Sequence, residues 1–330
     1  MEKTVSGRVV MNVLWIILIV IAALAALFFL ITWLIFVVAF RAWPAKPTDG
    51  KYDLPSDEIY KPFHPQMRQW ADERSQLPRQ DFSIQSFDGL KLWATYYEFA
   101  PGAPIELMFH GYRGTAHRDL GGGIQRCFDL GRSALIVDQR TSGRSGGKVI
   151  SFGINESRDC RSWVDFMVDH FGPDVKIILT GISMGASTVM LAAGRPMPPN
   201  VIGALADCGY TSAKAIIKKV IRQAHLPADL LYPVVKLSAK LYGKFDLEED
   251  SPIEAMERCT VPIIFAHGEA DDFVPCDMSR ECYAACTAPK LLITVPHAGH
   301  GLSYPVDPEG YLSALREFDP QMGLTSTAAK

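Results

Sequence analysis

The sequence lacks an excess of charge of either sign. Its 330 residues carry 33 basic and 36 acidic side chains, which gives a formal net charge of −3. Proteins that bind a nucleic-acid backbone rely on clustered lysine and arginine, and this balance supplies no such surplus. The composition also lacks the bias of disordered or collagen-like chains, and we find no internal repeat. We therefore expect a globular protein with no nucleic-acid partner.

The sequence has few cysteines and none of the common cofactor motifs. Seven cysteines are scattered along the chain without a Cys-x-x-Cys pair, which indicates buried thiols and weakly favours a reducing compartment. No His and Cys cluster has the spacing of a metal site. The glycines at 121–123 lack the spacing of a dinucleotide fingerprint, and the loop at 143–147 is not followed by the Lys-Ser/Thr of a phosphate loop. We expect neither a metal nor an organic cofactor.

A long apolar run accounts for the mean hydropathy of +0.08. Between Val9 and Phe40 only Asn12 and Thr32 are polar, and no residue is charged. A bilayer core of about 30 Å requires roughly 20 helical residues, so residues 9–40 can span it, with an excess that tilt or an interfacial turn can take up. The apolar region of a cleavable signal peptide is shorter, about 7–15 residues. The run predicts an uncleaved, single-pass membrane anchor.

The charges that flank this run leave its orientation open. Lys3 and Arg8 precede it, whereas Arg41, Lys46 and Lys51 follow it. The rule that basic residues stay on the cytoplasmic side cannot separate two charges from three. Only the cysteine content weakly favours a cytoplasmic location for the rest of the chain.

Composition divides the remainder of the chain. Residues 1–8 form a short tail before the apolar run, and residues 41–80, which are rich in proline and charge, form a linker that settles on the domain surface. Residues 81–320 have the length of one large domain, and residues 321–330 form a C-terminal tail.

Short apolar runs alternate with helix-length segments through the domain. The predicted strands are residues 82–87, 90–99, 105–109, 134–137, 175–179, 201–206, 261–266 and 291–295. Asp88-Gly89 between the first two predicts a two-residue hairpin turn. Buried strands that alternate with amphipathic helices indicate an α/β protein: a mostly parallel, doubly wound sheet, with the antiparallel hairpin at its N-terminal edge.

The most informative motif is Gly181-Ile182-Ser183-Met184-Gly185, between a predicted strand and a predicted helix. A serine at the tip of a tight strand-to-helix turn needs glycines at the flanking positions, here Gly181 and Gly185. We predict that Ser183 is a nucleophile and that the backbone N–H of Met184 is one donor of an oxyanion hole.

A nucleophilic serine requires a base and a group that orients the base. Asp271 and Asp272 follow one predicted strand, and His297 and His300 follow the next. The carboxyl ends of parallel strands form the active-site edge of an open α/β sheet. We prefer His300 as the base because glycines flank it, and we interpret His297 as a rim residue.

Together these motifs resemble the serine hydrolases of the α/β-hydrolase superfamily. The resemblance covers about residues 81–318. Its matching segments are His110-Gly111-Tyr112, residues 138–146, residues 181–185, His267-Gly268-x-x-Asp271-x-x-Val274-Pro275 and Gly299-His300-Gly301. The chain looks most similar to membrane-anchored bacterial members related to the serine-aminopeptidase-like and Bem46-like branches.

The resemblance implies roles for residues that the motifs alone leave open. It favours Asp271 over Asp272 as the triad acid, with Asp272 solvated or capping the next helix. It implies the backbone N–H of Tyr112 as the second oxyanion donor, and structural roles for His110 and His267. Cys208, without an evident base, is interpreted as a packing residue.

Residues 211–250 lie where this superfamily often inserts a cap. Helical spacing is compatible both with a helix that covers the sheet and with a lid over the acyl pocket that rests on anionic lipid. The expected function is a membrane-anchored serine hydrolase that cleaves an ester or thioester of a small or lipid-like acyl substrate through an acyl-enzyme. A serine peptidase of the aminopeptidase type is the alternative, followed by a non-catalytic membrane binding protein.

Overall fold

The computed structural model describes residues 2–42 and 52–324. The described part of the chain excludes Lys46 and Lys51. It also excludes residues 325–330, which make up most of the predicted C-terminal tail.

An eight-stranded sheet forms the centre of the domain. The strands are β1 (Gln80–Gln85), β2 (Lys91–Tyr97), β3 (Ile105–Phe109), β4 (Ser133–Asp138), β5 (Ile177–Ile182), β6 (Val201–Asp207), β7 (Ile263–Gly268) and β8 (Lys290–Val295). Their order is β1-β2-β4-β3-β5-β6-β7-β8, and only the pairs β1–β2 and β2–β4 are antiparallel. The predicted sheet is therefore confirmed, including its antiparallel N-terminal edge.

The turn of the first hairpin is longer than the predicted two residues. The backbone N–H of Ser86 donates to the carbonyl of Leu90 (2.8 Å), so three residues separate the last paired positions. The Ser86 side chain stabilises this loop by accepting from the N–H of Leu90 (2.8 Å) and donating to Asp88 (2.5 Å). Gly89 takes the left-handed conformation (φ 83°) that a three-residue hairpin loop commonly needs.

Helices cover both faces of the sheet. They are α1 (Glu2–Ala39), α2 (His64–Gln76), α3 (Ala116–Asp119), α4 (Gly121–Asp129), α5 (Ile154–Phe171), α6 (Met184–Ala193), α7 (Ala213–Gln223), α8 (Ala228–Ser238), α9 (Pro252–Glu257), α10 (Cys276–Ala285), α11 (Ser303–Val306) and α12 (Pro308–Phe318). Successive residues of β5 pack on opposite faces: Ile177 and Leu179 contact the core beside α5 and α6, and Ile178 contacts the core beside α12. Strands buried on both faces explain the continuous apolar runs.

An apolar helix, α1, precedes the domain. Its segment Met11–Ala39 has a mean hydropathy of 3.2 and is long and apolar enough to cross a membrane. All 21 residues at positions 11–31 are exposed, and at 1.5 Å per residue they extend about 31 Å, close to the thickness of a bilayer core.

The C-terminal part of α1 packs against the predicted cap, which consists of α7, α8 and a following π-turn, Ala239–Gly243. Phe36 and Phe40 are buried there with Tyr232 and Phe245. The residues that follow position 31 are therefore partly covered by protein, whereas Trp33, Leu34 and Val38 remain exposed.

The proline-rich segment before the domain contains helical structure that its composition did not predict. A 3₁₀-helix at Glu58–Phe63 leads into α2. Trp70 of α2 stacks on Tyr304 at 5.7 Å and lies so close to α4 that a Cβ on Gly122 would be 2.7 Å from its ring. Packing of this kind, rather than intrinsic periodicity, orders the segment.

A buried carboxylate lies in the middle of the sheet. Glu106 of β3 is fully buried and pairs with Arg126 and with Arg132 (2.7 Å to Arg132), while Thr180 donates to it at 2.8 Å. Burial alone would raise the pKa of Glu106, but the two guanidinium groups outweigh it and lower the pKa to about 2. Glu106 therefore remains charged in the folded protein.

Replacing Glu106 with glutamine is expected to lower the free energy of unfolding by about 3 kcal/mol at neutral pH, because the buried guanidinium of Arg126 loses its carboxylate partner and that of Arg132 keeps only Asp319. The unfolded carboxyl, with its ordinary pKa of 4.5, takes up a proton before the folded one does. The wild-type advantage should thus shrink as pH falls from about 4.5 towards 2. Urea unfolding at several pH values measures this. The exposed Glu98→Gln is the control, and equal losses in both variants would refute the expectation.

Candidate active site

The strand-to-helix turn after β5 holds Ser183 in an unusual backbone conformation. Its φ of 57° and ψ of −118° lie outside the regions that non-glycine residues favour. The N–H of Ser183 donates to the carbonyl of Asp207 (2.8 Å), which fixes the turn against β6. A strained residue fixed in this way presents its side chain at the tip of the turn.

The glycines that flank the serine allow a close approach of three backbone segments. A Cβ on Gly181 would lie 2.1 Å from the carbonyl oxygen of Gly185, and a Cβ on Gly185 would lie 2.1 Å from that of Phe109. No side chain fits at either position. The structure thus gives a steric reason for both glycines that the sequence motif singled out.

The loops after β5, β7 and β8 bring three predicted site residues together. His300 Nε2 lies 2.9 Å from Ser183 Oγ, and His300 Nδ1 lies 2.6 Å from Asp271 Oδ2. Both distances are hydrogen-bond distances. The arrangement has the geometry of the nucleophile, base and orienting carboxylate of a catalytic triad.

The carboxylate of Asp271 is held by several donors. Its Oδ1 accepts from the N–H groups of Phe273 (2.9 Å) and Val274 (2.8 Å). Burial alone would raise the pKa of Asp271, but hydrogen bonds with His267 and His300 and with the backbone hold that pKa well below its usual range. Asp271 is therefore ionised and can orient an imidazole.

The neighbouring carboxylate has different surroundings. Asp272 is exposed, and its backbone carbonyl accepts from Lys219 and Gln223. The next helix, α10, begins at Cys276 with Pro275 at the capping position. The suggestion that Asp272 caps this helix is wrong, and the suggestion that its side chain is solvated is the one the structure favours.

Two buried histidines support the site from outside it. His267 Nδ1 lies 2.6 Å from Ser279 Oγ, and His267 Nε2 lies 2.8 Å from the carbonyl oxygen of Val274. Because a carbonyl oxygen only accepts, Nε2 carries the proton and donates. His110 Nε2 accepts from the N–H of Gln139 (3.1 Å), and its Nδ1 donates to the carbonyl of Gly111 (2.8 Å). Burial lowers the pKa of His110, which keeps it neutral. Both geometries fit the predicted structural roles.

His297 and Cys208 are the remaining candidates. His297 is exposed, has a positive φ of 62°, and does not line the cavity beside Ser183. Cys208 is buried, and potential ligand atoms of Cys208, Asp271 and His300 lie within 4.8 Å of one another. Two of these three groups, Asp271 and His300, are already hydrogen-bonded to each other. Burial raises the pKa of the Cys208 thiol well above its usual value, so it stays protonated and packs behind the triad.

A tight turn at residues 111–114 lies next to the nucleophile. The N–H of Gly114 donates to the carbonyl of Gly111 (3.1 Å), and a Cβ on Gly111 would lie 3.5 Å from Ser183 Cβ. Tyr112, inside this turn, lines the same cavity as Ser183. Met184 is the first residue of α6, where backbone N–H groups have no partner within the helix. Both predicted oxyanion donors thus belong to segments beside Ser183.

Solved structures share this architecture. An esterase of Pyrococcus furiosus, Pf2001, is 22% identical and superposes with a TM-score of 0.62 over 76% of this chain and 93% of its own. The α/β hydrolase GrgF of Penicillium sp. sh18 is 18% identical, with a TM-score of 0.59 over 75% of this chain and 100% of its own. The chain has the α/β-hydrolase fold. An acylaminoacyl peptidase of Pyrococcus horikoshii is also similar, at 15% identity and a TM-score of 0.52 over 78% of this chain and 44% of the peptidase.

Sequence comparison adds a relative of this chain. The uncharacterized protein YqkD of Bacillus subtilis (strain 168) is 30% identical over 191 residues, which are 58% of this chain and 63% of YqkD. The match therefore spans less than two thirds of that relative. No family model matches the chain.

Ser183 and His300 open into a cavity of about 490 Å³. Tyr60 and other residues between positions 55 and 67 form one side of the cavity, and Phe273 lies on another, with its ring 5.1 Å from the imidazole of His300. The volume is within the usual range for small-molecule sites.

Sequence reasoning missed several of these residues. Asp119 accepts from the N–H of Gly111 (3.0 Å) and so holds the turn beside Ser183, but nothing in its sequence surroundings signals that role. Tyr60 belongs to the segment that was interpreted as a linker. Only the folding of that segment against the domain brings Tyr60 to the cavity, where burial raises its pKa.

Proposed function

We propose that this protein is a membrane-anchored serine hydrolase that cleaves a carboxylic ester or thioester through an acyl-enzyme intermediate. The observation that carries the proposal is the continuous chain of hydrogen bonds from Ser183 through His300 to Asp271, on a turn with the geometry of a nucleophile elbow. The fold alone would not support this function, because α/β-hydrolase folds host several functions.

A named residue carries out each step of the proposed reaction. Ser183 Oγ attacks the acyl carbon while His300 Nε2 takes the hydroxyl proton and then delivers it to the leaving oxygen or sulfur. Asp271 keeps the proton on His300 Nδ1 and stabilises the imidazolium. The N–H groups of Tyr112 and Met184 are the donors for the oxyanion. A water molecule activated by His300 then releases the acid and restores Ser183.

The position of α1 supports permanent anchoring. Residues 11–31 are exposed over about one bilayer thickness, whereas Phe36 and Phe40 are buried against the cap. Removal of the apolar run as a signal sequence would leave the apolar surface of the cap without its cover. The helix is therefore proposed to stay attached and to hold the hydrolase at the membrane, where small or lipid-like acyl compounds are its substrates.

One experiment tests the anchor and the nucleophile together. Membranes from cells that express the full chain are washed with alkaline carbonate and treated with a fluorescent fluorophosphonate. We expect a labelled band at the mass of the uncleaved chain, and none for Ser183→Ala. A band in the wash or at lower mass would contradict the anchor, and labelling of Ser183→Ala would contradict the nucleophile.

The same preparation distinguishes the chemical class of the substrate. It is assayed with matched p-nitrophenyl ester, thioester and aminoacyl-naphthylamide substrates. We expect the ester or thioester to be cleaved with the higher kcat/KM. Preferred cleavage of the naphthylamide would favour a peptidase, and labelling without turnover of any acyl substrate would favour a binding protein.

A further inference from the structure

The last carbonyl groups of α1 are hydrogen-bonded to the turn beside Ser183. The hydroxyl of Tyr112 donates to the carbonyl of Ala39 at 2.8 Å. The guanidinium of Arg113 donates to the carbonyls of Val38 (2.6 Å) and Arg41 (3.3 Å). Two consecutive residues of the turn therefore contact the end of the apolar helix through their side chains.

These contacts satisfy groups that a helix end leaves without partners. The final carbonyls of a helix have no N–H within the helix to bind. The N–H of Ala42, which could have continued the helix to Val38, instead donates to Lys148 (3.0 Å), and the carbonyl of Phe40 accepts from Ile150 (2.8 Å). The domain thus supplies the partners for this end. The cationic Arg113 also complements the negative end of the helix dipole.

The turn itself is strained and held from two sides. Arg113 has a φ of 54°, which is costly for a residue with a side chain. On one side Asp119 accepts from the N–H of Gly111, 3.0 Å away. On the other side the Tyr112 ring packs against Phe152 at 5.3 Å, with the Arg113 guanidinium 5.0 Å from its centre. The hydrogen bonds with α1 also hold the turn on this second side.

We propose that the end of α1 is a structural part of the active site: through Tyr112 and Arg113 it positions the backbone N–H that stabilises the oxyanion. The inference rests on the proposed function, since it takes the N–H of Tyr112 as an oxyanion donor. The side chains of Tyr112 and Arg113 are positioning residues. The membrane helix therefore sets the catalytic rate as well as the location of the enzyme.

Tyr112→Phe in the full chain tests this coupling. The variant keeps the backbone N–H and the ring and loses only the hydroxyl that reaches Ala39. Small displacements of catalytic groups lower rates strongly, so we expect kcat for a soluble short-chain p-nitrophenyl ester to fall about tenfold. KM and the pH profile should be unchanged, because the substrate cavity and the triad are intact. The rate of inactivation by a fluorophosphonate should fall in parallel with kcat.

Tyr210→Phe is the matched control. The Tyr210 hydroxyl also donates to a backbone carbonyl, that of Phe152 at 3.0 Å, and its ring belongs to the same apolar cluster as Tyr112. It does not lie on the turn. We expect a similar change in Tm for the two variants and a fall in kcat only for Tyr112→Phe.

The outcomes separate the inference from the proposed function. A kcat for Tyr112→Phe within about twofold of wild type, or equal losses in Tyr112→Phe and Tyr210→Phe, would overturn the coupling while Ser183→Ala remains inactive. Activity retained by Ser183→Ala would instead overturn the proposed function. If Tyr112→Phe does not accumulate, the coupling is tested with Arg113→Gln by the same criteria. This variant removes the hydrogen bonds to Val38 and Arg41.

Discussion

Ser183→Ala and His300→Ala are each expected to lower kcat for a short p-nitrophenyl ester by about a million-fold, and the double variant by no more than either one. The physical reason is that nucleophile and base act as a unit. Without His300 the hydroxyl keeps its proton, and without Ser183 the base has nothing to activate. The 2.9 Å bond between Ser183 Oγ and His300 Nε2 is the contact on which this non-additivity depends.

Ser187→Ala provides a control on the same helix. Ser187 is buried on α6, and its hydroxyl accepts from the N–H of Tyr210 (3.2 Å). This variant should lose some stability while its kcat stays near that of wild type. Active-site titration with a fluorophosphonate corrects for the folded fraction wherever labelling occurs. Multiplicative losses in the Ser183 and His300 double variant would show that the two residues do not act together.

Asp271→Asn is expected to lower kcat by about ten-thousand-fold. The backbone N–H groups of Phe273 and Val274 should hold the amide oxygen, which turns the amide NH₂ towards His267 and His300. His300 would then accept at Nδ1 and carry its proton on Nε2. In that tautomer it cannot take the proton of Ser183.

The adjacent Asp272→Asn is the matched comparison. Asp272 is exposed and also lines the cavity beside Ser183, but His300 Nδ1 bonds Asp271 and not Asp272. The same chemical change should therefore leave kcat within about twofold of wild type. Steady-state kinetics of the two variants with one ester substrate measure the difference. A large loss in Asp272→Asn with little change in Asp271→Asn would reverse the assignment of the triad acid.

The sequence predicted those features that depend on local pattern. All eight strands lie within three residues of their predicted positions, because strands buried on both faces appear as short apolar runs. The motif around Ser183 could be recognised because the serine and both glycines lie within five consecutive residues, although the backbone that Gly185 approaches, at Phe109, is distant in sequence. The order of serine, acid and histidine then pointed to Asp271 and His300, which the structure brings within hydrogen-bond distance of each other and, through His300, of Ser183.

Features that depend on contacts between distant segments were not predicted. Nothing near Asp119 indicates that its carboxylate holds the N–H of Gly111, and nothing in the proline-rich segment indicates that Tyr60 lines the cavity. The contacts between Tyr112 and Ala39 join residues 73 positions apart. Periodicity carries no information about such pairs, whose partners are set by how the whole chain packs.

If α1 spans a bilayer as proposed, its exposed length sets the height of the candidate active site above the membrane. Ala39 lies eight residues beyond Ile31, the last residue of the continuously exposed stretch, so a helix perpendicular to the bilayer places the turn that binds it about 12 Å above the hydrocarbon. The headgroup layer of one leaflet is only about 5–8 Å thick. Acyl bonds that project several ångströms beyond that layer would meet Ser183 by lateral diffusion along the membrane. The ester bonds of glycerolipids, which lie at its inner boundary, would first have to rise.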